Sequence, residues 1–223
     1  MTIMFRNDYP SPNRRRRPHG VTIDTLLVHY SAGHGNSRSL GRVFAARSRK
    51  ASSHLGIGRD GDDDVQQYVD FDDVAWHAGD GSLMIPGVPS HYRVNERSIG
   101  IELCNRGWAP SKFGRARADA RHRNPRSMST TWEVYPDKQI ATFVRVVDTL
   151  LGMFPTLEFV TGHEDVTNYI TTGHDKDNDG VIKPPEYGGS KLDPGPLFPW
   201  SILDGKLKRV RFNFDTGTFE VVP

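Results

Sequence analysis

The chain has 223 residues and a formal net charge of +2, with 36% hydrophobic and 25% charged residues. This composition is typical of a soluble globular protein, and no apolar run reaches the roughly 18 residues of a membrane helix, which excludes a membrane span. The single cysteine, Cys104, excludes a disulfide within the chain. The length fits one substantial domain, and we expect one.

The N-terminal residues 1–20 are rich in proline, arginine and asparagine and predict an irregular arm. They contain no apolar segment after their charges, so we expect synthesis in the cytoplasm without a signal peptide. Arginines cluster at residues 14–17 and again within residues 115–126. Two interpretations stay open for these clusters: a solvated tail and loop, or patches that attract nucleic acid, anionic membrane or anionic glycan.

Apolar runs predict the first strands and the first helix. Residues 25–28 form a short apolar, partly β-branched run that ends at His29 and predicts a buried strand. Apolar residues at helical spacing predict a helix over residues 38–50. Two further strands are predicted over residues 54–57 and 65–69.

In the middle of the chain, residues 98–104 alternate with a period of two. The alternation predicts a strand that places Glu102 and Cys104 on the face opposite to three apolar side chains. Residues 106–131 are basic and polar, and predict a loop.

The last third predicts a helix, a strand and a hairpin. One apolar face marks a helix over residues 136–152, and a short strand over 159–162 ends at His163. Residues 164–190 predict a loop, and residues 209–222 an alternating hairpin. Strands that alternate with helices indicate an α/β fold.

Two of the predicted strands end in a histidine, His29 and His163. Side chains at strand ends project into the crevice where open α/β sheets bind ligands. Two neutral imidazoles and one carboxylate, for which Asp193 is a candidate, form a zinc site with a fourth position open for water. By spacing alone, a pair of ordinary surface or core histidines explains the pattern better than a zinc site does.

Seven motifs in order change that balance. They are LVHYSA at 27–32, SSH at 52–54, VAWHAG at 74–79, SIGIEL at 98–103, NRGW at 105–108, GH at 162–163 and KLDPGPLFPW at 191–200. Together they resemble the zinc-dependent N-acetylmuramoyl-L-alanine amidases of the amidase-2 family, whose fold is shared by peptidoglycan recognition proteins. The resemblance implies a single α/β domain with a central mixed β-sheet flanked by helices. It spans residues 21–205, with insertions at about 106–131 and 164–190, and leaves residues 206–223 as a C-terminal hairpin extension.

The resemblance also implies roles for five residues. His29, His163 and Asp193 match the family's zinc ligands, Glu102 matches the acid that handles the attacking water, and Lys191 matches the cation near the metal. The expected reaction is hydrolysis of the amide between N-acetylmuramic acid and L-alanine, in which a zinc-bound water attacks the carbonyl. Glu102 would move the proton to the leaving nitrogen, and Lys191 would stabilise the oxyanion.

Three further residues are candidates for substrate binding. Trp76 and His77 lie in a motif that lines the family's substrate groove, and His54 is a third candidate. A packed loop explains these residues nearly as well. Cys104 shares the face of Glu102 and is interpreted as a neighbour of the site rather than as a ligand.

The insertion before Asp193 contains a second candidate metal site. Its residues follow the D-x-D-x-D-G-x5-E pattern of a calcium loop, which suits a seven-coordinate hard cation. The predicted calcium ligands are Asp175, Asp177, Asp179, Val181 and Glu186. Pro184 and Pro185 forbid the usual exiting helix, so the alternative is an acidic turn that binds no ion.

The expected partner is therefore peptidoglycan or its muropeptide fragments, with no nucleic acid, and a monomer is presumed. The long insertions favour a lytic role, as a phage endolysin or an antibacterial effector that reaches the wall after release or delivery. Two alternatives stay open: a cytoplasmic amidase that recycles muropeptides, and a peptidoglycan-recognition module without activity. Aromatic and basic residues are not interleaved as nucleic-acid-binding modules require.

Overall fold

The computed structural model describes residues 3–33, 35–61, 64–88, 92–108, 115–125, 127–166 and 191–222. Among the helices in these ranges, none has the length and apolar character needed to cross a membrane. The helices are α1 (Ser37–Phe44), α2 (Val94–Arg97) and α3 (Asp137–Met153). The strands are β1 (Arg14–Arg16), β2 (Thr25–Tyr30), β3 (Leu55–Ile57), β4 (Val65–Gln67), β5 (Asp73–Ala75), β6 (Ser82–Leu83), β7 (Tyr92–Arg93), β8 (Ser98–Leu103), β9 (Arg117–Asp119), β10 (Thr131–Glu133), β11 (Phe159–Gly162), β12 (Lys208–Asn213) and β13 (Thr218–Val222).

Seven of these strands form one mixed sheet in the order β13-β12-β11-β2-β8-β3-β4. The five inner strands run parallel to one another, and the edge strands β13 and β4 are antiparallel to their neighbours. This arrangement confirms the predicted α/β class with a central mixed sheet.

The central strand β2 is buried on both faces, which is why residues 26–28 at its centre are continuously apolar. Leu26 and Val28 pack on one side of the sheet in the main core, together with Phe143 and Val147 of α3. Leu27 points to the opposite side and belongs to a second, smaller cluster. Alternate side chains of one strand therefore hold the sheet between two apolar layers.

Both predicted helices are present, but the first is shorter than its sequence pattern indicates. Helix α3 begins one residue after the predicted start, because Pro136 stands before it in an extended conformation. Helix α1 ends at Phe44, and a 3-10 turn follows it. The Asn13 side chain donates to the carbonyls of Phe44 and Ala46, so a residue far away in sequence replaces the helix's own hydrogen bonds there.

The prediction of an irregular N-terminal arm is wrong for residues 14–16. They form β1, which pairs antiparallel with β5. The arginine run is a docked strand rather than a solvated tail, because Arg14 pairs with Asp73, and the Arg17 guanidinium donates to three backbone carbonyls. The acceptors come from distant segments, so no local pattern could reveal them.

Two other segments differ from the sequence prediction in smaller ways. The loop predicted over 106–131 contains β9, which pairs antiparallel with β10. Short, half-exposed strands of this kind have no apolar alternation to mark them. The predicted C-terminal hairpin is present as β12 and β13, and β12 pairs in parallel with β11, so the hairpin continues the main sheet.

Candidate functional site

The site lies at the carboxyl ends of the central strands. His29 stands near the end of β2, and His163 follows β11 directly; β2 and β11 are parallel neighbours. Glu102 of β8 is the register partner of His29. Because parallel strands end at the same edge of a sheet, the topology brings these three residues together.

Asp193 completes a compact group with the two histidines. Its Oδ2 lies 2.9 Å from His29 Nδ1 and 3.1 Å from His163 Nδ1, and the two nitrogens are 3.0 Å apart. All three residues are buried, with exposed fractions between 2% and 6%. Ligands of a tetrahedral zinc ion with bonds of about 2.0–2.1 Å stand about 3.3 Å apart, so the group fits such an ion after a small expansion.

The charges in this group also suit a metal. Burial lowers the pKa of His29 to about 4, which keeps its imidazole neutral. Burial disfavours the charged Asp193 carboxylate, but the imidazoles of His163 and His29 outweigh it and hold the pKa of Asp193 well below its usual range. The neutral His29 imidazole and the ionised Asp193 carboxylate are in the protonation states that metal binding requires.

Glu102 faces the same space, but its carboxyl group differs from that of Asp193 in its protonation. Its Oε2 is buried and has no hydrogen-bond partner within the described part of the chain. Burial and the nearby Asp193 raise the pKa of Glu102 to about 8, while the charge of Lys191 acts in the opposite direction. A carboxyl group poised near neutral pH can accept and return a proton.

A cavity of about 720 Å³ opens over the group, and Glu102 and Lys191 both line it. One wall is apolar and comes from α1, where Val43 is 40% exposed. Trp76 lines this cavity and also an adjoining one of about 520 Å³, whose lining includes the cations Arg15, Lys50 and Arg93. The site is thus a groove with apolar, aromatic and cationic sections.

Of the three residues predicted to bind substrate, two line the groove and one does not. Trp76 and His77 line both cavities. His54 lies outside them and is fully buried, where its Nδ1 accepts from the Gly100 amide. Burial and the charge of Arg17 lower its pKa to about 3. The interpretation of His54 as a substrate contact is therefore wrong, because the ring is a hydrogen-bonded core residue.

Two other predictions concern residues near the site. Cys104 lines the cavity wall but is not one of the converging ligand atoms. The calcium ligands predicted from sequence, Asp175, Asp177, Asp179, Val181 and Glu186, lie outside the described residues, and that site stays a prediction.

Sequence reasoning missed the residues that support the site from behind. Ser98 lies 3.2 Å from His77 Nε2, and the Ser52 hydroxyl accepts from the Trp76 amide while donating to the Asn13 carbonyl. These are single serines and an asparagine in unremarkable local contexts. Only the fold reveals their contacts.

The sequence profile that describes N-acetylmuramoyl-L-alanine amidases, Amidase_2, matches residues 19–196. The chain belongs to the amidase-2 family. It is accordingly an N-acetylmuramoyl-L-alanine amidase, and the matched residues include both histidines, Glu102 and Asp193 of the site.

Two curated relatives of this amidase are informative. The chain is 30% identical over 207 residues to the 1,6-anhydro-N-acetylmuramyl-L-alanine amidase AmpD of Enterobacter cloacae, covering 86% of this chain and 84% of the relative. It is 28% identical over 187 residues to the N-acetylmuramoyl-L-alanine amidase AmiD of Escherichia coli, covering 81% of this chain and 52% of AmiD.

Solved structures agree on the amidase-2 fold. A crystal structure of an AmpD derivative superposes with a TM-score of 0.55 at 24% identity and covers 93% of this chain and 99% of its own. The structure of Escherichia coli AmiD, a complex with the substrate anhydro-N-acetylmuramic acid-L-Ala-D-gamma-Glu-L-Lys, gives a TM-score of 0.54 at 24% identity and covers 85% and 60%.

Proposed function

We propose that this amidase is zinc-dependent, with His29, His163 and Asp193 as ligands, and that it acts on 1,6-anhydro-muropeptides. The observation that carries the proposal is the convergence of three buried ligand atoms, within 3.1 Å of one another, beside a Glu102 oxygen that has no hydrogen-bond partner among the described residues. When bound, zinc would supply an activated water and polarise the lactyl carbonyl.

The chain's own residues carry out the rest of the reaction. Glu102 takes the proton of the attacking water and returns it to the departing L-alanine nitrogen. Its burial holds the pKa near neutrality, and a cation bound beside it would lower that pKa toward the working range of a base. Lys191 lines both cavities and provides positive charge for the oxyanion.

The substrate class rests on the relatives. The long insertions favour a lytic role, but AmpD of Enterobacter cloacae is a 1,6-anhydro-N-acetylmuramyl-L-alanine amidase, and this relative favours the recycling alternative. The apolar wall at α1 and the face of Trp76 are suited to the sugar and the lactyl group. The groove is expected to accept soluble fragments better than intact wall.

Product analysis by mass spectrometry tests the assignment of Glu102. Wild type should release stem peptides that carry a free L-alanine amine, and Glu102→Gln should lower kcat by at least about 100-fold, the lower end of the range for one acid–base group. Glu158→Gln is the matched control, because Glu158 is an exposed carboxylate that pairs with Lys208. Activity of Glu102→Gln equal to that of the control would contradict the role.

A second comparison tests the substrate class. Soluble 1,6-anhydro-muropeptides and purified sacculi, supplied at equal concentrations of muramyl amide, should differ in kcat/KM, with the anhydro fragments preferred. Faster cleavage of sacculi would instead restore the lytic interpretation. Binding of either substrate without cleavage would favour the recognition module.

A further inference from the structure

The imidazole of His29 has two nitrogens, and both are engaged. Its Nδ1 faces Asp193 and His163, while its Nε2 lies 3.1 Å from Nδ1 of His77. A histidine that binds a metal through one nitrogen carries its proton on the other and donates it to a neighbouring acceptor. His77 is the group in position to be that acceptor.

The contacts of His77 continue away from the site. Its Nε2 lies 3.2 Å from the hydroxyl oxygen of Ser98, and that hydroxyl is 2.6 Å from the carbonyl of Val94, to which it donates. These contacts form a chain of four groups that ends on a backbone carbonyl, which can only accept.

The Val94 carbonyl, at the far end of this hydrogen-bonded series, fixes the direction of every hydrogen bond between His29 and Ser98. Ser98 has one hydrogen, and the short contact to Val94 uses it, so the hydroxyl offers His77 only its lone pairs. His77 therefore donates from Nε2 and accepts at Nδ1, and His29 donates from Nε2. The reverse direction would need a second hydrogen on Ser98.

Packing holds the His77 ring in this position. The ring is 8% exposed and stands edge-on to His29 and to His54. Gly100 leaves room for it, since a Cβ there would lie 2.6 Å from His77 Cγ. Strand β8 thus provides both Ser98, which accepts from the ring, and Gly100, which leaves room for it.

We propose that His77 and Ser98 are positioning residues that hold His29 in the tautomer with its proton on Nε2, so that the Nδ1 lone pair points into the ligand group. This inference rests on the proposed zinc site. In the metal-free protein it also implies that the proton facing Asp193 comes from His163 rather than from His29.

Nitrogen-15 NMR of the imidazoles in the metal-free protein is the first test, because it requires neither zinc nor activity. The chemical shifts of His29 should report a protonated Nε2 and an unprotonated Nδ1. A protonated Nδ1 on His29 would overturn the proposal, even if the protein proved to be a zinc amidase.

Zinc affinity, measured by competition with a chelating dye, is the second test. Ser98→Ala and His77→Phe should each weaken zinc binding by about 10- to 100-fold, the range for such outer partners. His77→Asn should recover part of the loss, because its side-chain oxygen can accept from His29. Ser53→Ala is the matched control: this serine is equally buried, and its hydroxyl has no partner within the described residues.

The outcomes are distinct. Wild-type affinity in both Ser98→Ala and His77→Phe would overturn the positioning role while leaving the zinc site intact. Wild type that binds no zinc, with His29 protonated on Nε2, would instead contradict the proposed function and retain the tautomer. If Ser98→Ala does not fold, the comparison of His77→Asn with His77→Phe decides.

Discussion

A carboxyl oxygen that is buried without a hydrogen-bond partner costs free energy, and among the described residues none contacts the buried Oε2 of Glu102 as a partner, beside the ligand group. Groups held in such a state are common at functional sites, and here the space next to Glu102 is the cavity that Trp76 and Lys191 also line. At the scale of single residues, the site therefore combines ionised Asp193, neutral His29 and a Glu102 that is protonated at neutral pH when no metal is bound.

This state of Glu102 predicts how the stability of the metal-free protein depends on pH. The folded protein keeps the Glu102 proton up to a pKa of about 8, whereas the unfolded chain loses it near 4.5. Between these values the folded state binds more protons, so the free energy of unfolding falls as pH rises, by up to about 1.4 kcal/mol per pH unit. Glu102→Gln should remove this contribution.

Urea unfolding of wild type and Glu102→Gln, in the presence of a chelator and from pH 4.5 to 8.5, measures the contribution of Glu102 to the free energy of unfolding. The variant should gain stability relative to wild type as the pH rises, and the difference isolates Glu102 from the titration of buried histidines. A difference that is independent of pH would contradict the assigned protonation state.

At the scale of elements, the N-terminal segment supports the groove. The Asn13 amide donates to the carbonyls of Phe44, Ala46 and Ala51, which join the end of α1 to the next segment. The Asn13 carbonyl accepts from Ser52, whose hydroxyl also accepts from the Trp76 amide. Asn13, directly before β1, thus fixes both the apolar wall and the aromatic residue of the groove.

Asn13→Ala should lower the free energy of unfolding by about 2–3 kcal/mol, because it leaves three carbonyls without this donor. Asn36→Ala, which removes an exposed helix cap at α1, is the comparison and should cost only about 1 kcal/mol. Chemical denaturation provides both values. Equal losses of unfolding free energy in the two variants would show that Asn13 does not stabilise the groove through its three hydrogen bonds.

The elements also show where sequence reasoning succeeds and where it fails. Strands β2 and β11 contain the apolar residues 26–28 and 159–160 because both faces of the inner sheet are covered, so these short runs mark the two strands directly. Strand β1 is all arginine and exposed, and only its partners on β5 and α2 explain it. His54 failed as a substrate contact because its bonds to Gly100 and Asp73 depend on the fold.

The ligand group illustrates the same limit. Spacing alone left the histidine pair ambiguous, because no local pattern connects Asp193 with His163 or His29, which lie far before it in the sequence. The motif order supplied the connection through the family resemblance. No sequence motif indicates the hydrogen bonds from His29 through His77 to Ser98. Only the distances between the two rings and the hydroxyl reveal them.

At the scale of the whole molecule, the C-terminal hairpin is coupled to the site. Asp165, two residues after His163, accepts from the amide of Phe212 in β12 and pairs with Arg123. Glu164 pairs with Arg123 as well, and its amide donates to the carbonyl of Asp193. The hairpin therefore contacts the segment that carries the second histidine.

Truncation after residue 205 should destabilise the entire domain, because it removes β12 and β13 and uncovers the edge of β11. We expect no cooperative unfolding transition, or a melting temperature at least 10 °C lower, as a loss of about 3–5 kcal/mol would produce in a domain of this size. Calorimetry of the full and truncated chains makes the comparison. A truncated chain that melts like the full one would show that the hairpin is a dispensable appendage.

The central claim is that His29, His163 and Asp193 hold one zinc ion that amide cleavage requires. The most direct measurement is the cleavage rate of a 1,6-anhydro-muramyl peptide by chelator-stripped protein as zinc is added back. We expect no cleavage without zinc, a rate that rises with added zinc and levels off at one zinc per chain, and no restoration in His163→Ala. Cleavage that persists in the stripped protein, or that returns equally in His163→Ala, would contradict it.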